Sequence, residues 1–208
     1  VLWGIPANTL SRTLFPLGDL TKEEVRDIAR KNEFETAEIP ESMEICFVAD
    51  NNYKRFLKDY VPEKMSKISA GDIVNESGEV VGEHSGYTDY TIGQRKGLGL
   101  STPEPRYVSN IDPSNNQIKI GKKESLTKDN CKVSDVNWLV DNISFPFDIK
   151  AQIRYNSPTI DATITQSENG FSVQFLHPQI AVTPGQSIAF YKDDIVLGGG
   201  IIERNIEH

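Results

Sequence analysis

Cys46 and a glycine-punctuated cationic loop are the features of this 208-residue chain whose residue types could do chemistry. Cys46 lies in Ile45-Cys46-Phe47-Val48. As a thiolate it would be a nucleophile, but a free thiol with a pKa of ~8.5 is only slightly ionised at neutral pH. Glu44 falls on the same face of an extended chain, and a nearby carboxylate disfavours the thiolate. Activation would have to come from a cation, a helix N-terminus or a bound substrate supplied elsewhere. The same apolar setting also suits a packed strand cysteine.

The loop Tyr90-Thr91-Ile92-Gly93-Gln94-Arg95-Lys96-Gly97-Leu98-Gly99-Leu100 sets two adjacent cations and an amide among glycines. Glycine lets backbone N–H groups approach an anion, and Arg95 and Lys96 add charge-assisted donors suited to phosphate. On a chain of formal net charge -8, a local cationic loop points to a specific anionic partner. A hairpin with solvated tips is the alternative. Arg154 and Tyr155 close a run of alternating residues, and a guanidinium beside an aromatic ring can hold phosphate and stack on a base. An exposed cation beside a core tyrosine is the competing arrangement. Gln186, after Thr183-Pro184-Gly185, says little alone. His84 could be a base or an RNA contact, although a lone histidine is more often a hydrogen-bonded structural residue. Cys131 can share the face of Val133 and reads as a packed thiol.

The elements that must position these residues change character along the chain. Thr21-Lys22-Glu23-Glu24 forms a capping box ahead of Val25, Ile28 and Ala29. A second helix fits Asn51 to Tyr60, with Pro62 as its stop. Between them, Ile39 to Val48 reads as an extended loop running into a short apolar strand. After Pro62 the hydrophobic period falls to 2. Asp72-Ile73-Val74 and Glu79-Val80-Val81 form a hairpin, and Tyr107 to Asp112 pairs with Gln117 to Gly121 across Pro113-Ser114-Asn115-Asn116. From about Val133 the chain is nearly all strand. Ile149, Ala151, Ile153 and Tyr155 share one face there, and Phe171, Val173 and Phe175 share another. Five or six short strands with tight turns predict a small closed barrel. The expected divisions fall near residues 62 and 130: a helical segment over 1–62, a small central β domain over 63–130, and a C-terminal β-barrel over 131–208.

Composition narrows the class. Hydrophobic content of 38% with 25% charged residues describes a globular protein with a real core. No apolar run approaches a membrane-spanning length, and no secretory leader pattern is present. Two cysteines make no disulfide framework and favour a reducing cytoplasm. The three histidines are scattered without zinc-ligand spacing, so no metal is expected. Val1-Leu2-Trp3-Gly4-Ile5 reads as an element already under way, as in the later part of a longer protein.

Five words occur in an order that resembles the bacterial tRNA-specific 2-thiouridylases. They are Leu14-Phe15-Pro16-Leu17-Gly18, Glu41-Ser42-Met43-Glu44-Ile45-Cys46-Phe47, Gly82-Glu83-His84-Ser85-Gly86, Tyr90 to Gly99, and Arg154-Tyr155. The resemblance covers essentially the whole chain and implies its C-terminal half or more, beginning with the tail of an α/β nucleotide-binding domain. It implies an enzyme that uses ATP to adenylate the C2 oxygen of a wobble uridine. A cysteine persulfide, loaded by a sulfur-relay protein, then delivers sulfur to C2. Cys46 matches the persulfide cysteine, and Arg154, Tyr155 and Gln186 match tRNA-contact positions. The partner implied for Arg95 and Lys96 is likewise tRNA, not DNA. The family's Ser-Gly-Gly-Val-Asp-Ser-type ATP loop and its other active-site cysteine belong upstream of Val1, so this chain alone is expected to be inactive. Glu41 and Met43 stand where many members carry Asp and Gln. The competing reading is a non-catalytic RNA-binding β module with structural cysteines.

Overall fold

The computed structural model describes residues 2–39, 48, 50, 52–155, 157–167 and 170–204. The chain forms two compact units, Leu10–Lys67 and, from two separated stretches, Val1–Thr9 with Ile68–His208. The architecture is mainly β, with short helical segments toward the N-terminus. No described helix is long and apolar enough to cross a membrane.

A four-residue helix α1 (Ala7–Leu10) leads toward the helical unit. There α2 (Lys22–Lys31) starts at the capping box its sequence encodes. The Glu24 N–H donates to the Thr21 hydroxyl at 3.3 Å, and the Thr21 N–H donates to the Glu24 carboxylate at 2.7 Å. Glu23 and Glu24 in the first turn and Arg30 and Lys31 in the last complement the helix dipole. Asn52 caps α3 (Tyr53–Tyr60), accepting from the Arg55 N–H, so this helix begins two residues later than the apolar spacing suggests. Pro62 does not simply end it. Its fixed φ and missing N–H suit the first position of a helix, and it opens α4 (Pro62–Met65). The expected loop and strand of Ile39 to Val48 falls largely outside the described residues, and Cys46 with it.

In the larger unit, β1 (Gly71–Val74) and β2 (Val80–His84) form the first hairpin, and β3 (Tyr107–Asp112) and β4 (Gln117–Gly121) form the second. Asp112 makes the second turn: its carboxylate accepts from the N–H groups of Ser114 and Asn115 and from the Asn115 side chain. β1 runs parallel to β4, which joins the hairpins into one mixed sheet ordered β2-β1-β4-β3. Ile73, Val108, Ile118 and Ile120 form its core with Leu98.

Six further strands close a barrel in the order β10-β5-β8-β7-β6-β9. They are β5 (Thr127–Trp138), β6 (Phe147–Gln152), β7 (Ile160–Ser167), β8 (Gly170–Ile180), β9 (Ser187–Lys192) and β10 (Ile195–Ile202). Alternate residues such as Val133, Ile149, Ala151, Ile164, Val173, Ile188 and Phe190 fill the interior. β5 starts six residues before Val133, because Thr127-Lys128-Asp129-Asn130 is exposed and held by pairing rather than by an apolar face. Residues near the start of the chain dock on the barrel. The Asn137 side-chain amide donates to the carbonyls of Trp3 and Ile5. A Cβ at Gly199 would come within 2.6 Å of the Trp3 ring, so glycine there makes room for the indole.

Candidate nucleic-acid interface

Arg154 and Tyr155 were expected to close a strand with Tyr155 facing inward. Instead β6 ends at Gln152, the alternation stops after buried Ile153, and Tyr155 is 87% exposed. A turn presents the pair. The Tyr191 hydroxyl donates to Gln152 Oε1 at 3.2 Å, and Gln152 Nε2 donates to the Ser157 carbonyl at 2.7 Å. Ser157 closes the turn by donating its hydroxyl to the Arg154 carbonyl at 2.8 Å. This network fixes the backbone and leaves both side chains facing solvent.

The basic loop takes its shape from its glycines. Gly93, Gly97 and Gly99 have φ of 88°, 75° and 69°, a region costly for residues with a Cβ. The Gly93 N–H donates to the Val108 carbonyl on β3, and the Gln94 N–H to the Thr91 carbonyl. The Gln94 side chain ties the turn, accepting from the Thr91 N–H at 3.0 Å and donating to the Lys96 carbonyl at 3.0 Å. The Gly93 and Gln94 amides are therefore engaged by these carbonyls and form no cradle for an anion. What the loop offers is the exposed side chains of Arg95 and Lys96.

One short connection brings the loop and the turn together. Arg154 Nη2 donates to the Ile180 carbonyl at 3.4 Å. The next residue, Ala181, has φ of 57°, and its N–H donates to the Leu126 carbonyl. A Cβ placed on Gly93 would lie 3.6 Å from Ala181 Cβ. Arg154 and the basic loop are thus flanking neighbours of the β8 terminus. Gln186 joins the same region. Ile92, Val182 and Pro184 line one cleft of about 680 Å³ between the small sheet and the barrel, with Lys128 and Arg204. Gln186 follows on a turn held by Gly185 N–H to Ile202 and by Ile202 N–H to Gln186. Its side chain is exposed.

The cleft itself carries both signs, since Glu76, Asp112 and Glu203 line it beside Lys128 and Arg204. Among the described residues, no ion pair engages Arg95, Lys96, Lys128 or Arg154. Unpaired, exposed cations gathered on an acidic chain suit phosphate, while exposed Tyr155 offers a stacking surface.

Two other candidates resolve differently. His84 is 2% exposed, with Nε2 3.1 Å from the Asn116 carbonyl, which removes it from any surface that RNA could touch. Cys131 is buried beside Val133, as its position implies, and burial pushes its thiol up to about 12. Sequence reasoning missed Gln152, Ser157, Tyr191 and Ile180, which position the site. No local pattern marks a side chain whose partner lies far along the chain.

This arrangement of a small mixed sheet, a closed barrel and an accompanying helical segment matches three family models in succession. Residues 1–50 match the tRNA methyl transferase HUP domain, 54–122 the tRNA methyl transferase PRC-barrel domain, and 128–202 the aminomethyltransferase beta-barrel domain. Among curated relatives, the tRNA-specific 2-thiouridylase MnmA of Symbiobacterium thermophilum is 47% identical over 99% of this chain and 53% of its own length. Its namesakes from Carboxydothermus hydrogenoformans and Chlorobium phaeobacteroides are 44% and 45% identical, each over 99% of this chain and 56% and 58% of their own lengths. The chain belongs to the tRNA-specific 2-thiouridylase family, and it spans about half the length of the curated relatives it matches.

Proposed function

We propose that this chain is the sulfur-carrying and tRNA-engaging part of a tRNA-uridine 2-sulfurtransferase. The observation that carries the reading is its 47% identity, across 99% of its length, to a protein named as a tRNA-specific 2-thiouridylase. The exposed cations around Ile180 and Ala181 support it independently. In the reaction, ATP adenylates the C2 oxygen of the wobble uridine with loss of pyrophosphate, and the outer sulfur of a Cys46 persulfide then displaces AMP from C2. The thiol of the family's other active-site cysteine attacks the Cys46 sulfur, breaking the S–S bond to free 2-thiouridine and leaving a disulfide between the two cysteines. A sulfur-relay protein loads Cys46. Arg154, Tyr155, Gln186, Arg95 and Lys96 hold the tRNA by phosphate contacts and stacking.

Labour divides along the chain. Residues 1–62 carry the cysteine loop and the tail of the nucleotide-binding domain, residues 63–130 the central β domain, and residues 131–208 the barrel. No Ser-Gly-Gly-Val-Asp-Ser word stands in these 208 residues, so ATP is a co-substrate handled outside them and the chain alone does not turn over. The setting is cytoplasmic.

The test is Cys46→Ser in the full-length protein. We expect 2-thiouridine to vanish from tRNA digests while tRNA binding and the thermal melt stay unchanged. Normal thiolation by that variant would remove Cys46 from the chemistry.

A further inference from the structure

The pairing of β8 with its neighbours breaks at one place. Its ladder with β7 ends at Phe175, opposite Ala162. Its ladder with β5 jumps from Gln174, opposite Asn130, to Gln179, opposite Lys128. One residue on β5, Asp129, therefore answers four on β8, Phe175 to Pro178, and the surplus, Leu176-His177-Pro178, is thrown outward. Gln179 Nε2 braces this bulge by donating to the His177 carbonyl at 2.7 Å. Gln174 Nε2 braces its other side on the Asp129 carbonyl at 3.0 Å. Leu176 is 66% exposed, and His177 and Pro178 are exposed beside it. Bulges re-aim side chains at barrel rims, and this one aims an apolar residue and an imidazole at solvent.

Position gives the bulge its meaning. Two residues beyond it, the Ile180 carbonyl receives Arg154, and Ala181 then approaches Gly93 of the basic loop. The bulge thus lies beside the neighbourhood that joins the two cationic groups. Lys128, opposite Gln179, adds a cation with no carboxylate partner among the described residues. Asp129 is the one acidic residue in residues 127–130 and 174–180.

We propose that the β8 bulge, together with Lys128, is a further tRNA contact bridging the Arg154–Tyr155 turn and the Arg95–Lys96 loop. Lys128 takes a phosphate, while Leu176 and the His177 ring pack against a ribose or an exposed base. This rests on the tRNA reading above and extends it to residues that reading does not use. A bound backbone that engages both motif groups passes the β8 terminus at Ile180 and Ala181, two residues from this bulge.

The experiment measures binding of an unmodified tRNA transcript by the full-length protein at two ionic strengths, with thermal melts confirming the fold. Leu176→Ala/His177→Ala should weaken binding about tenfold, as expected for a lost stacking contact. Lys128→Ala should weaken it about threefold and reduce the salt slope by about one phosphate's share. Arg154→Ala is the reference. If Arg154→Ala weakens binding while the bulge and Lys128 variants keep it within about twofold, the bulge proposal is overturned and the tRNA reading survives. If Arg154→Ala also changes nothing, the tRNA reading itself falls. Bulge variants that bind tRNA normally but need more sulfur donor protein for thiolation would assign the bulge to a protein partner and equally overturn the proposal.

Discussion

Cys131 is held inside the barrel by the same alternation that buries Val133, and its chemistry follows from that burial. Desolvation lifts its thiol from an ordinary value near 9 to about 12. A raised folded-state pKa means stability that is whole below about pH 9 and is lost as pH rises toward 12. We therefore expect the melting temperature to fall across that window more steeply in the wild type than in Cys131→Val, which lacks the titrating group. Thiol-reactive reagent at pH 8 should leave Cys131 unmodified until denaturant is added. At this scale the sequence was readable wherever a residue's fate depends on its own strand. Cys131 and Val133 share a face, and Thr21 and Glu24 cap a helix, because the partners are two or three residues apart. Tyr155 was misread because the alternation that placed Ile149, Ala151 and Ile153 inside ends with its strand.

The elements that carry the site are turns, and each is fastened by a side chain from elsewhere. The Arg154–Tyr155 turn depends on Gln152, which reaches Ser157 on one side and Tyr191 on the other. Gln152→Ala should lower stability by about 1 kcal/mol, the usual worth of such a bond. It should also weaken tRNA binding severalfold while the salt dependence stays unchanged, because Arg154 keeps its charge and loses only its placement. An unchanged affinity would show that the turn holds its shape without this anchor. Both hairpins of the small sheet were legible from period and turn residues, though not the part Asp112 plays in holding the second turn. The β8 bulge went unread although Pro178 marks it, since a proline cannot donate to a ladder and within a sheet settles at edges or bulges. Nor does the basic loop announce that its glycines form turns.

For the whole molecule, a net charge of -8 sets the background against which the cationic face must work. Long-range repulsion of RNA by the acidic body is screened by salt, whereas contacts to phosphate are weakened by it. The contact term dominates, so tRNA affinity should fall steeply between low and physiological salt. Arg95→Ala/Lys96→Ala should reduce that slope by about two phosphates' share. An unchanged slope would return the loop to a purely structural role. The barrel could be expected from strand count and spacing, whereas the parallel pairing of β1 with β4 that joins the two hairpins into one sheet could not. Less visible was that the barrel recruits residues from the far end of the sequence, since nothing in Leu2-Trp3-Gly4 points to Asn137 or Gly199.

That recruitment makes the helical unit an excursion that leaves and re-enters a single body, at residues 9 and 68. A protease cutting once within residues 10–67 would then produce two polypeptides that remain one particle. Trp3 and the two carbonyls gripped by Asn137 would retain the first piece, and the second would carry the barrel itself. Nicked protein should run as one band on a native gel and as two under denaturing conditions. Asn137→Ala with Trp3→Ala should let the pieces separate. The same geometry makes the excursion the natural place to divide this protein into halves that find each other again.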